Sequence, residues 1–246
     1  MKKICFTIPE NSYQNGIVRV VVPLAIFLSN TNMYDISILS LSDTNMDKLP
    51  LKKNIKYIQL KVNKKSNRIS RIYNMTKCLL KLFSCYVPDV VVVSGTEYVL
   101  PISMAINSQN TRLIAWEHRN FFAGPKYRLE WIGKRYALKR WDNIVCITKR
   151  DAYQYTSFAY AKNKIRQIYN LSGIEIKRYE YNYKAKKIIS CGYLSHIKGF
   201  DMLINVAKNV FEKHDDWSWD IYGEGDERIN LEHLIKQYGL SGNVFL

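Results

Sequence analysis

Four consecutive valines, Val90 to Val93, run between Asp89 and the Ser94-Gly95 pair. A strand with one wet face alternates apolar and polar residues, whereas an unbroken β-branched run needs apolar surroundings on both faces. Such a strand belongs inside a parallel sheet with helices on either side. The rest of the chain keeps this grammar. Residues 3–8, 34–41, 55–61, 112–116, 143–148 and 165–169 read as further strands. Helical stretches lie between them at 15–29, 69–85, about 127–140 and 151–160, and Ile72, Met75, Leu79, Leu82 and Phe83 share one side of the second. Strands and helices alternating at this spacing predict a doubly wound α/β fold.

At 246 residues and 47% apolar, the chain is long enough for two modest domains with real cores. The polar, unpatterned stretch at 176–186 is the expected linker. It separates an N-terminal Rossmann-like domain at 1–175 from a partial second domain at 187–246. The longest apolar run, residues 17–28, is broken by Arg19 and Pro23 and is too short to span a bilayer. No secretory leader pattern follows Met1-Lys-Lys. The five cysteines (Cys5, Cys78, Cys85, Cys146 and Cys191) form no CxxC pair and no metal-ligand spacing with the four histidines. They read as buried free thiols in a reducing, cytoplasmic setting.

The net charge of +16 is unevenly spread: residues 48–88 hold eleven Lys/Arg and no acid. Residues 119–150 hold nine basic residues interleaved with Phe121, Phe122, Tyr127, Trp131, Tyr136 and Trp141. The first run fits either an anionic partner or a solvated basic face. The second fits a helix lying on an anionic membrane surface, with Lys134, Arg135, Lys139 and Arg140 facing the lipid. Nucleic acid is a weaker reading, since no RNA-binding signature accompanies the charge.

Two glycine turns close the chain. Cys191-Gly-Tyr-Leu-Ser-His-Ile-Lys198-Gly199 follows a strand and opens an amphipathic helix whose Met202, Leu203, Val206, Ala207 and Val210 are expected to face a core. Gly192 and Gly199 would let backbone approach a phosphate at the helix N-terminus, and Lys198 would add a charge there. Alternatively Lys198 is solvated and Gly199 merely starts the helix. The second turn, Gly223-Glu-Gly225, reads equally as a phosphate grip or a tight strand-to-helix turn.

In order and spacing, Gly192, Lys198, Gly199, Asp201, Leu203, Ile204, Gly223, Gly225, Asn243 and Val244 resemble the C-terminal domain of family 4 glycosyltransferases. Three earlier pieces also resemble that family: Thr148-Lys-Arg-Asp151, Asn170-Leu-Ser-Gly173, and the Asn15-Gly16 turn after the first strand. The resemblance implies two Rossmann-like domains in the GT-B arrangement, with the second incomplete, and a retaining transfer from a nucleotide sugar. It makes Lys198 the cation on the departing diphosphate. Gly223 and Gly225 become the nucleotide-side turn, and Asn15, Gly16 and Glu117 the acceptor side of the cleft. His118 falls where the family keeps a histidine near the transferred sugar or the acceptor; a loop hydrogen-bond network is its other reading. Tyr193 replaces the family's arginine. The family's E-x7-E motif belongs beyond Val244, and Glu224 and Glu232 only mimic its spacing.

No D-x-D triplet occurs, so fixed positive charge is expected in place of a metal ion, and no cofactor is expected. The implied function is transfer of a hexose-type sugar to a lipid-linked or saccharide acceptor in surface polysaccharide synthesis, at the inner membrane face. Two alternatives remain at this point: an inactive or split transferase completed by another chain, and a basic nucleic-acid-binding protein.

Overall fold

The computed structural model describes residues 1–9, 15–42, 49–62, 67–107, 109–122, 128–157, 163–171, 180 and 182–246. The chain divides into two compact units, Met1–Glu175 and Ile176–Leu246. Residues 176–179 and 181 of the expected linker, Gly173 of the Asn170 motif, Tyr127 and the end of the helix expected at 151–160 lie outside the described residues.

The first unit holds β1 (Lys2–Ile8), α1 (Val18–Asn30), β2 (Tyr34–Ser40), β3 (Lys56–Gln59), α2 (Arg68–Cys85), β4 (Val90–Ser94) and α3 (Val99–Ala105). It continues with β5 (Arg112–Glu117), α4 (Leu129–Arg140), β6 (Asn143–Cys146), α5 (Lys149–Thr156) and β7 (Ile165–Gln167). The strands pair in parallel in the order β3-β2-β1-β4-β5-β6-β7. The chain winds outward from β1 to β3 and re-enters beside β1 as β4, so the topology switches between β1 and β4. In open α/β sheets, ligands gather at the carboxyl ends of strands around such a point.

The valine run divides between two cores. Val91 and Val93 pack with Cys5, Leu113, Ala115 and the inner faces of α2 to α5, through Leu79, Ile102, Leu138 and Tyr155. Val92 packs on the other side with Phe6, Ile8, Trp116 and the α1 residues Val18, Val21, Val22 and Ala25. Burial of those four residues sustains α1 although Pro23, inside the helix, removes one backbone hydrogen bond. Helix α3 was not expected from the sequence. Its proline, Pro101, sits in the first turn, where a missing N–H has no intrahelical partner to lose.

The second unit contains β8 (Lys187–Cys191), α6 (Phe200–Phe211), β9 (Ser218–Tyr222), α7 (Arg228–Gln237) and β10 (Val244–Phe245), with the strands parallel in the order β10-β9-β8. One face of this sheet is covered: Ile221 and Val244 pack with Ile204, Ala207, Phe211, Leu231 and Ile235 of the two helices. The other face leaves Ile189, Tyr222 and Phe245 exposed. The predicted phase of α6 needs correction. Its core stripe is Phe200, Ile204, Ala207 and Phe211, whereas Met202 and Val206 are exposed. The two phenylalanines set the helix rotation because they carry the largest apolar area.

The thiols also differ from expectation. Cys5 and Cys146 are buried, and burial pushes them up to about 11 and about 12. Cys85 and Cys191 are exposed, however, and Cys78 is half-buried. No helix among the described residues is long and apolar enough to cross a membrane.

Candidate functional site

Beyond β8 and β9 the two glycine turns are laced together. Gly192 donates its N–H to the Tyr222 carbonyl at 3.0 Å, Leu194 donates to Glu224 at 2.9 Å, and Glu227 donates to Leu194 at 3.0 Å. The contact leaves no room for side chains. A Cβ on Gly223 would lie 1.9 Å from the Gly192 oxygen, and one on Gly225 would lie 2.2 Å from the Leu194 oxygen. The tight-turn reading of this Gly-x-Gly thus has a physical cause within the protein.

The turn after β8 then opens outward. A 3-10 turn at His196–Lys198 leads to Gly199, whose φ of 67° is the left-handed conformation that glycine adopts without strain. Gly199 is the N-cap of α6, and no side chain caps that end. The first N–H groups of α6 therefore lack the usual capping partner. Lys198 is exposed beside them, with no ion pair among the described residues. Glu224 and Glu232 both bind Arg228, at 2.7 and 3.0 Å, and Arg228 also reaches the Leu246 carbonyl at 3.2 Å. Asn243 donates to the carbonyls of Asp215 and Trp217, both at 2.9 Å, and so clamps the loop before β9.

In the first unit the carboxyl end of β5 carries Glu117 and His118. Glu117 does not take up the ligand-facing position expected of it. It is 3% exposed, and its Oε2 accepts from Thr96 Oγ1 at 2.9 Å and Tyr155 OH at 3.1 Å, with Lys134 Nζ at 3.5 Å. Its Oε1 accepts the Arg119 N–H at 3.1 Å. That network occupies both oxygens within the protein. His118 is half-buried against Trp116, with ring centroids 4.6 Å apart, and its Nε2 is buried with no partner among the described residues. Burial pushes the imidazole down to about 4, so it is neutral at neutral pH. Two further buried atoms, Trp116 Nε1 and Ser94 Oγ, also lack partners among the described residues, and Ser94 and Trp116 face each other across β4 and β5. Unpaired polar atoms at strand ends are the exception in a folded core. Asn15 Oδ1 accepts the Ile17 N–H at 2.9 Å at the start of α1, and Gly16 is exposed with open space where a Cβ would lie.

Lys134 requires the clearest correction. It is 2% exposed and donates to the carbonyls of Phe121 at 2.8 Å and Asn120 at 3.4 Å, so it cannot face lipid. The phase of α4 carried the signal: Gly133, Lys134, Ala137 and Leu138 form its buried stripe. Phe121 and Trp141 are core residues too, and Trp131 is partly buried. What remains outside on α4 is Arg135, Lys139 and Arg140 beside exposed Ile132 and Tyr136. The Thr148-x-x-Asp151 motif caps α5: Thr148 Oγ1 accepts the Asp151 N–H at 3.1 Å and donates to its Oδ2 at 2.7 Å. Asp151 Oδ1 then takes the Phe121 N–H at 2.9 Å. Among the described residues no group of three or more His, Cys, Asp or Glu side chains could hold a metal ion.

Residues 174–246 match the family model described as glycosyl transferases group 1. Over 246 residues the chain is 29% identical to an uncharacterized glycosyltransferase of Haemophilus influenzae, a match covering 99% of this chain and 68% of the relative. It is 23% identical to the amylovoran biosynthesis glycosyltransferase AmsD of Erwinia amylovora, covering 98% of this chain and 67% of that one. The chain thus spans about two thirds of the length of both relatives. Among solved structures, TarM superposes with a TM-score of 0.74 at 11% identity, covering all of this chain and 76% of that chain. Anabaena HepE, solved with UDP and glucose, gives 0.71 at 14% identity, over all of this chain and 69% of that one. These likenesses show the fold: Rossmann-like units of the GT-B type.

Proposed function

We propose, from the match of residues 174–246 to the family model of glycosyl transferases group 1, that the chain moves a hexose-type sugar from a nucleotide-diphosphate donor to a lipid-linked or saccharide acceptor. The observation that carries this reading is the uncapped start of α6 at Gly199 with the exposed Lys198 beside it. Breaking a nucleotide-sugar bond leaves charge on a diphosphate. Open N–H groups, a helix dipole and an ammonium are the groups that stabilise it. The donor phosphates are then held by fixed charge, without a metal ion. Gly192, whose N–H is taken by Tyr222 and whose Cβ would lie 3.1 Å from Phe200, braces the turn together with Gly223 and Gly225 rather than offering open backbone to the phosphate.

His118, held neutral, serves the transferred sugar or the acceptor hydroxyl as a hydrogen-bonding group rather than as a strong base. Asn15 and Gly16, at the start of the helix that follows β1, belong to the same acceptor side. A role in surface polysaccharide synthesis is supported by the relative named for amylovoran biosynthesis. Residence on the inner membrane face rests on the exposed Arg135, Lys139 and Arg140 of α4.

Melting temperature measured against a panel of nucleotide sugars tests the donor site. At least one uridine or guanosine diphosphate sugar is expected to raise it, and Lys198→Ala to abolish that rise. A rise that survives the substitution would remove Lys198 from the site.

A further inference from the structure

Three buried charged groups converge on the backbone of the loop that follows β5. Lys134 Nζ donates to the carbonyls of Asn120 and Phe121. Glu117 Oε1 accepts from the Arg119 N–H, and Asp151 Oδ1 from the Phe121 N–H. Each is at most 8% exposed, and Thr96, Tyr155 and Thr148 supply further hydrogen bonds to the two carboxylates. Four backbone polar groups within residues 119–121 are therefore held by side chains from β5, α4 and α5.

Stability alone is a poor reason for this arrangement. A buried ion pair can often be replaced by apolar residues of similar volume at little cost, while its retention can fix one conformation. Here the conformation fixed is that of the segment directly after His118. We propose that Lys134, Glu117 and Asp151 are positioning residues that lock residues 119–121 and so hold the His118 ring against Trp116. The proposal rests on the role assigned to His118 above, but its test does not.

The test uses nuclear magnetic resonance of the full chain, with the His118 signal identified by its loss in His118→Ala. The double variant Lys134→Met with Glu117→Gln removes both charges of the pair together and keeps its volume. In the parent, His118 is expected to titrate near 4, well below its unfolded value of 6.5. In the double variant its titration should rise toward 6.5, while the signals of the rest of the chain stay unchanged. An unmoved His118 in a folded double variant would overturn the lock. If that variant does not fold, amide exchange in the parent decides. The Arg119 and Phe121 amides should exchange as slowly as those of β5, and exchange at open-loop rates would overturn the proposal. Should His118 shift as expected while His118→Ala keeps full transferase turnover, the lock stands and the catalytic assignment of His118 falls.

Discussion

At the residue scale, Gly223 and His118 make separable predictions. A methyl group on Gly223 or Gly225 must push backbone away from backbone, since the nearest oxygens would lie 1.9 and 2.2 Å from the new carbon. Gly223→Ala is therefore expected to destabilise the protein by about 1–3 kcal/mol, the usual cost of forcing atoms into a packed site. Gly242→Ala, where nothing lies within 4 Å, should change urea stability little. Equal effects of the two substitutions would show that the turns are not laced as described. For His118 the sign follows from its depressed value. The ring takes its proton near 6.5 when the chain is unfolded but only near 4 in the folded protein. Above 6.5 both states are neutral and the residue is silent. As the pH falls from 6.5 toward 4 the unfolded state binds the extra proton, and stability is lost across that window. His118→Gln should flatten that part of the urea midpoint against pH, and a curve unchanged by the substitution would contradict the burial of the ring.

At the element scale, α4 shows how a helix can combine a buried charge with a basic outer face. Arg135, Lys139 and Arg140 are exposed while Lys134 is enclosed, so only the first three can meet an anionic surface. Replacing those three with serine should remove about 3 kcal/mol of attraction to phosphatidylserine-containing vesicles, at ~1 kcal/mol per basic residue near the surface. In flotation assays this would appear as roughly a hundredfold loss of binding at low salt, with a smaller loss at high salt. Vesicle binding indifferent to both salt and substitution would remove the membrane from the proposed function. The same helix marks the limit of what the sequence discloses. Runs such as Val90–Val93 announce their surroundings because both neighbours of a parallel strand are apolar whatever the loops do. A lysine announces nothing beyond the phase of its helix, because the groups that hold it, the carbonyls of Asn120 and Phe121 and the carboxylate of Glu117, are brought together only by the tertiary fold. Helix α6 failed for a related reason. Its apolar residues are too many to fit one stripe, and the choice between Met202/Val206 and Phe200/Ile204 is settled by the sheet it packs on. The glycine turns were legible as turns, whereas their contact with each other was not.

At the scale of the whole molecule, the two units differ in how their sheets are enclosed, and that difference governs where the chain should open first. In the first unit β1 and β4 have apolar cores on both faces, with α1 on one side and α2 to α5 on the other. In the second unit a single cluster covers one face of β8 to β10, and Ile189, Tyr222 and Phe245 stand exposed on the other. Local opening costs least where few apolar contacts must be broken. Amides of Cys5–Thr7 and Val91–Val93 should therefore be the slowest to exchange in the chain, and those of β8 and β9 faster by about a hundredfold or more, which corresponds to ~3 kcal/mol of opening free energy. A nucleotide sugar bound at the start of α6 would be held by the less protected unit, so its binding should slow exchange around Gly192–Gly199 and leave β1 and β4 unaltered. Uniform protection across both units without donor would mean that the exposed face of β8 to β10 is covered in solution. Donor-induced protection confined to the first unit would move the phosphate site away from Lys198.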